Sequence, residues 1–137
     1  MIVCLFYSQS IFAQNNDSLR QIYNNGIVYY YGGYYMMGSE RMKFNELEKI
    51  FTYSELGLAD YKLAKKNKTK GKIFTLLSFA SGIAGLSFYN SNRNLSYVFF
   101  GGQITLLFGS QSCFRSYGNH LNKAIWQRNK DYLFPGN

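Results

Sequence analysis

The chain has 137 residues, 47% of them hydrophobic and 19% aromatic, with 15 Lys and Arg against 7 Asp and Glu, a net charge of +8. That length suits one domain, and a single proline leaves no proline-rich linker to divide it. One histidine and two cysteines, Cys4 and Cys113, supply no His/Cys ligand cluster, so no metal site, haem or other cofactor is expected.

Met1 to Gln14 is apolar and ends Ile11-Phe12-Ala13-Gln14, which reads as a signal peptide over 1–13 cut after Ala13, although the basic n-region is missing. Cys4 lacks the small preceding residue of a lipoprotein site. Residues 14–71 read as an exposed module. Ile27 to Tyr31 and Tyr34 to Met37 flank Gly32-Gly33, the composition of a β-hairpin with a primed two-residue turn. Gly38-Ser39-Glu40 reads as a further turn. Tyr29, Tyr31, Tyr34 and Tyr35 form a candidate aromatic surface for sugar rings or peptide; cross-strand aromatic packing is the structural reading of the same residues.

A helix is predicted from Phe44 or Asn45 to about Tyr53, with Leu47, Ile50 and Phe51 at helical spacing. Ser54 suits the N-cap of the next helix, and Leu56, Ala59 and Leu63 form its apolar stripe. Lysines 62, 65, 66, 68, 70 and 72 follow. They lack interleaved aromatics, so nucleic acid is not expected. Lys65, Lys66, Lys68, Lys70 and Lys72 read instead as lipid-headgroup contacts beside the apolar run that follows.

Residues 72–114 organise the chain. No charge occurs between Ile73 and Asn92, nor between Asn94 and Phe114, and Arg93 alone interrupts. Two such runs around the turn-like Tyr89 to Asn94 predict an antiparallel helical hairpin, long enough to cross a bilayer twice with help from flanking residues. A buried hairpin in a soluble protein is the alternative. Ser78 with Gly82, Ser81 with Gly85, and the series Gly101, Thr105, Gly109 recur at four-residue spacing, as in close-packed membrane helices. Residues 115–137 carry Arg115, Lys123, Arg128 and Lys130 among Leu121, Ala124, Ile125 and Trp126, the pattern of an amphipathic basic tail helix.

The fold class is therefore mainly α: a two-helix apolar hairpin, an N-terminal β-hairpin-plus-helix module and a C-terminal amphipathic helix. Phe12-Ala13-Gln14, the Tyr29–Met37 hairpin, Phe44-Asn45-Glu46-Leu47, the Tyr61–Lys72 segment, the Gly-rich apolar runs and Lys123-Ala124-Ile125-Trp126-Gln127-Arg128-Asn129 together resemble a family of small, uncharacterised bacterial envelope proteins. Arg128 stands where that pattern has Tyr, and Lys43 where it has a capping Ser or Thr. The resemblance implies an envelope location and brings no activity.

The expected function is a membrane-anchored structural or interaction protein of the bacterial envelope, with lipid and another envelope protein or a second copy as partners. The alternative is a glycan-binding module using the tyrosine hairpin. An enzyme is not expected: His120, Asp60, Glu55 and Asp131 are scattered with no spacing that brings them together. The signal peptide places both termini in the periplasm, whereas the excess of Lys and Arg on both flanks of the hairpin points to the cytoplasm.

Overall fold

The computed structural model describes residues 20–135. The signal peptide, its cleavage site and Cys4 lie outside the described residues. The chain is mainly helical: a helical segment α1 (residues 20–26), strands β1 (Val28–Tyr31), β2 (Tyr34–Met37) and β3 (Glu40–Met42), then α2 (Leu47–Phe51), α3 (Glu55–Phe88) and α4 (Arg93–Leu133). The described residues divide into two compact units, one of residues 20–58 with 125–135 and one of residues 59–124.

The first unit is built on an antiparallel sheet of order β1-β2-β3. Gly32 and Gly33 take φ of 58° and 89°, the left-handed pair that a type I′ turn demands and that glycine adopts without a Cβ penalty. The turn sets Tyr31 opposite Tyr34 and Val28 opposite Met37. Gly38-Ser39 does not simply end the hairpin. With φ of 61° at Gly38 it returns the chain as a third strand, in which Arg41 faces Met36 and Met42 faces Tyr35.

Val28, Leu47, Ile50 and Phe51 are buried in this unit, as are Ile27 and Ile125. The last turns of α4 reach β1 through one side chain. Asn129 accepts the Val28 N–H at 3.0 Å and donates to the Val28 carbonyl at 2.7 Å, so its carboxamide pairs with the edge strand as another strand would. The outer end of the Tyr132 ring lies where a Cβ on Gly26 would be, so any side chain at Gly26 would have to displace that ring. Ser54 caps α3 as its sequence position predicts: its hydroxyl accepts the Gly57 N–H at 3.0 Å.

The second unit is an antiparallel helical hairpin formed by residues 59–88 of α3 and 93–124 of α4. Asn92 caps α4 by accepting the Leu95 N–H at 3.1 Å. α3 continues through Gly71 into the apolar run, and α4 runs unbroken through 114/115, where composition alone divides the chain. Residues 115–133 are thus a continuation of α4 and not a separate tail helix, because nothing between Phe114 and Leu133 breaks a helix: proline comes only at 135.

The seam between the two helices is lined by small and polar residues spaced by seven. Gly71, Ser78 and Gly85 on α3 meet Ser110, Gln103 and Ser96 on α4. The hydroxyl of Ser110 donates to the Gly71 carbonyl at 3.1 Å, and that of Ser96 to the Gly85 carbonyl at 2.7 Å. Ser78 donates to the Gln103 carbonyl at 3.3 Å, and Ser81 to the Phe99 carbonyl at 2.7 Å. Ser78, Ser96 and Ser110 are buried, and no buried side-chain polar atom among the described residues lacks a partner.

Candidate functional site

The hairpin is inverted relative to a water-soluble helix pair. Its inner seam holds glycines and serines. Its outer face holds Ile73, Leu76, Phe79, Ile83 and Leu86 on α3 and Val98, Ile104 and Phe108 on α4, each at least half exposed. Burying one such side chain stabilises a protein in water by about 1.5–3 kcal/mol. Leaving all of these in water forgoes on the order of 10–20 kcal/mol, comparable with the entire stability of an ordinary domain. By length and composition α3 is the one helix among the described residues able to cross a membrane. The second run, in α4, is weakened by Gln103, Gln111 and its serines.

Of the residues predicted to pack the hairpin, Ser78, Gly82, Gly85 and Gly109 lie at the seam. An ideal Cβ on Gly82 would lie 2.8 Å from the Gln103 side chain, on Gly85 3.0 Å from the Phe100 ring, and on Gly109 3.4 Å from the Phe74 ring. Gly101 and Thr105 do not join them. A Cβ on Gly101 meets nothing within 4 Å, and Thr105 is exposed with its hydroxyl turned back to the Gly101 carbonyl at 3.0 Å. The reason is helical phase. Each four-residue step overshoots one turn by about 40°, so a series starting at Gly101 reaches the seam only at Gly109. The seven-residue series Ser96, Gln103, Ser110 holds its face to within about 20° per step.

Lys65, Lys66, Lys70 and Lys72 are exposed, directly before the apolar outer face begins at Ile73. Lys68 is half-buried, with its Nζ 5.4 Å from the centre of the Tyr117 ring. Burial, and then the charge of Lys72, hold its pKa below the usual 10.5.

The candidate aromatic surface splits across the sheet. Register places Tyr29, Tyr31 and Tyr34 on one face with Arg41, whose guanidinium lies 4.5 Å from the Tyr34 ring centre. Tyr35 is on the other face, its ring 5.1 Å from that of Tyr30 at a tilted angle, the cross-strand contact expected of paired aromatics. Tyr29 donates its hydroxyl to the Gly38 carbonyl at 2.9 Å, which secures the turn into β3.

Two of the scattered titratable residues converge. His120 Nδ1 lies 2.9 Å from Asp60 Oδ1, and Lys123 Nζ lies 3.3 Å from Asp60 Oδ2. Burial raises the Asp60 pKa, but the hydrogen bonds from His120 and Lys123 together with their charges outweigh it and leave the carboxyl below its ordinary 3.8. The 60-residue separation left no sequence signal for this contact. Chemically it is an acid–imidazole pair, the carboxylate orienting the ring. Asp131 belongs elsewhere: it accepts hydrogen bonds from Ser54 at 2.5 Å and Gln127 at 2.8 Å. Glu55 is exposed in the first turn of α3. No cluster of metal-binding side chains occurs among the described residues.

Compared with known proteins, the chain matches no family model, no curated protein sequence and no solved structure.

Proposed function

We propose that the chain is a membrane-anchored, non-enzymatic interaction or structural protein of the bacterial envelope, held in lipid by the α3–α4 hairpin. The inversion of the hairpin carries this reading. In lipid, large apolar side chains belong outside, while close contact of small residues and hydrogen bonds between helices hold the pair together. The serine-to-carbonyl bonds of the seam and the exposed apolar ring suit that solvent on both counts. Lysines 65–72 would then lie at the headgroup level beside the span, their stems along apolar surface and their ammonium groups in water.

The test is fractionation of cells expressing the full chain. The protein is expected in the membrane pellet after an alkaline wash and in solution only after detergent. Release by the wash alone would return the hairpin to the soluble reading.

A second reading rests on the sheet. Tyr29, Tyr31 and Tyr34 share one face, and Tyr31 is 74% exposed. Such a face suits stacking on sugar rings, which makes a glycan of the cell wall or surface its candidate ligand. Pull-down of the detergent-solubilised chain on immobilised cell-wall glycan tests it. Retention that survives Tyr31→Ala plus Tyr34→Ala would dismiss the tyrosine face as the binding surface.

A further inference from the structure

Neither an anchor nor a tyrosine face uses the cavity of about 410 Å³ in the first unit. Tyr53, Ser54, Arg128, Asp131, Tyr132 and Pro135 line it. Its volume lies within the range of small-molecule sites, and Tyr53, Tyr132 and Pro135 give it apolar walls. The two charged residues in its lining set its chemistry.

Arg128 is 93% buried, with a relative exposure of 7%. Its Nη1 donates to the Gly26 carbonyl and, at 3.3 Å, to Asn129 Oδ1. Among the described residues Nη2 has only the Met37 sulfur at 4.0 Å, a weak acceptor, and the guanidinium lies 4.8 Å from the Tyr132 ring centre. No carboxylate pairs with it among the described residues. Burial holds its pKa below the ordinary value. A cation kept out of water with no counter-ion among the described residues gains much from an incoming anion. Asp131 meets the same cavity, each of its oxygens already accepting one hydrogen bond and each retaining a further lone pair. A ligand bearing an anion alone would be repelled by Asp131. A ligand bearing both signs would satisfy both walls.

We propose that this cavity binds a free α-amino acid with an aromatic or branched apolar side chain, its carboxylate on Arg128 and its ammonium on Asp131. The side chain fills the space between Tyr53, Tyr132 and Pro135, and the tyrosine faces add attraction for the ammonium. The proposal stands whether or not the hairpin lies in lipid.

Calorimetric titration of the full chain in detergent tests it with L-phenylalanine, N-acetyl-L-phenylalanine and L-phenylalaninamide. L-phenylalanine is expected to bind, and each blocked derivative to bind at least about tenfold more weakly, the scale of one lost charged hydrogen bond. Because Arg128 also holds the Gly26 carbonyl, its replacement could unfold the unit, so the informative variants lie at the rim. Tyr53→Ala, at a side chain 90% exposed, is expected to weaken L-phenylalanine binding several-fold with an unchanged Tm. Asp131→Asn is expected to erase the preference for the free amine over the acetylated one. No binding of L-phenylalanine or L-leucine at millimolar concentration overturns the proposal. So does equal affinity for the acetylated form in the unmodified chain, or an affinity that Tyr53→Ala leaves unchanged.

Discussion

Asn129 performs the work of a strand. β1 is an edge of the sheet, and Val28 on it is 99% buried, so neither its N–H nor its carbonyl can turn to water. Replacing Asn129 by Leu removes both partners at similar volume. Each of the two orphaned buried groups costs about 1–3 kcal/mol, so a loss of about 2–6 kcal/mol is expected. Thermal unfolding in detergent measures it, and faster amide exchange at Val28 would locate it. Asp60 offers a second test at this scale. A carboxyl whose pKa is lower in the folded than in the unfolded chain stabilises the fold fully above the unfolded value. That contribution fades as pH falls through the folded value, below 3.8. The bond to His120 supplies most of it, about 1.5–3 kcal/mol for a charged hydrogen bond, since Lys123 is 70% exposed and its share is screened. Asp60→Asn should therefore lower Tm near neutral pH, and the difference from the parent chain should shrink below pH 3.8. A difference that is constant from neutral to acid pH would show that Asp60 acts through shape and not charge.

At the scale of the element, the hairpin separates glycines that must be glycine from those that need not be. A Cβ on Gly85 already stands 3.0 Å from the Phe100 ring, which cannot fold away as a flexible chain end can. Gly85→Leu should destabilise the hairpin by about 1–3 kcal/mol, the scale of overpacking. Gly101→Leu meets open space, and exchanging a helix glycine for leucine gains up to about 1 kcal/mol. It should be neutral or stabilising. Denaturation of the two variants in one detergent compares them directly, and equal losses would mean that the seam runs elsewhere. The contrast shows what was legible in the sequence. The hairpin, its turn, the Ser54 cap and the Gly-Gly strand pair all follow from local composition, because each is decided within a few residues. The seam was legible only in part, because four-residue spacing marks a face for one or two steps and then drifts. The spacing that persists, Ser96 to Gln103 to Ser110, includes a glutamine that a search for small residues passes over. β3 went unread although Gly38-Ser39 is a two-residue connector of hairpin type, because Glu40 and Arg41 carry charge and suggest a loop. A short charged edge strand is one way in which sheets discourage pairing with other chains. The contacts of Asn129 with Val28 and of His120 with Asp60 span 101 and 60 residues, and no local pattern encodes them.

For the molecule as a whole, the proposed anchor makes topology the decisive question, and two physical rules oppose each other. A cleaved signal peptide would carry residue 14 across the inner membrane, and an even number of spans would leave the C-terminus on the same side. Charge argues the reverse: Lys62 to Lys72 hold six lysines and no acid, Arg115 and Lys123 follow the second run, and only Arg93 occupies the connecting turn. Basic flanks are normally retained in the cytoplasm. The structure adds a cost to the first route. Inserting the hairpin from the far side carries its turn through the bilayer, and Arg93 opens α4 there with no acidic partner among the described residues. One arginine at the centre of a bilayer costs about 2.5–3.5 kcal/mol on insertion scales. Burying the apolar outer face returns on the order of 10–20 kcal/mol. The single charge is therefore too small to decide orientation, and we propose that the periplasmic route set by a cleaved leader prevails. Alkaline phosphatase fused after Asn137 is expected to be active, because that reporter folds only where its disulfides form. An inactive fusion, with a cytoplasmic reporter active at the same position, would place both ends in the cytoplasm and give the lysine flanks the controlling role.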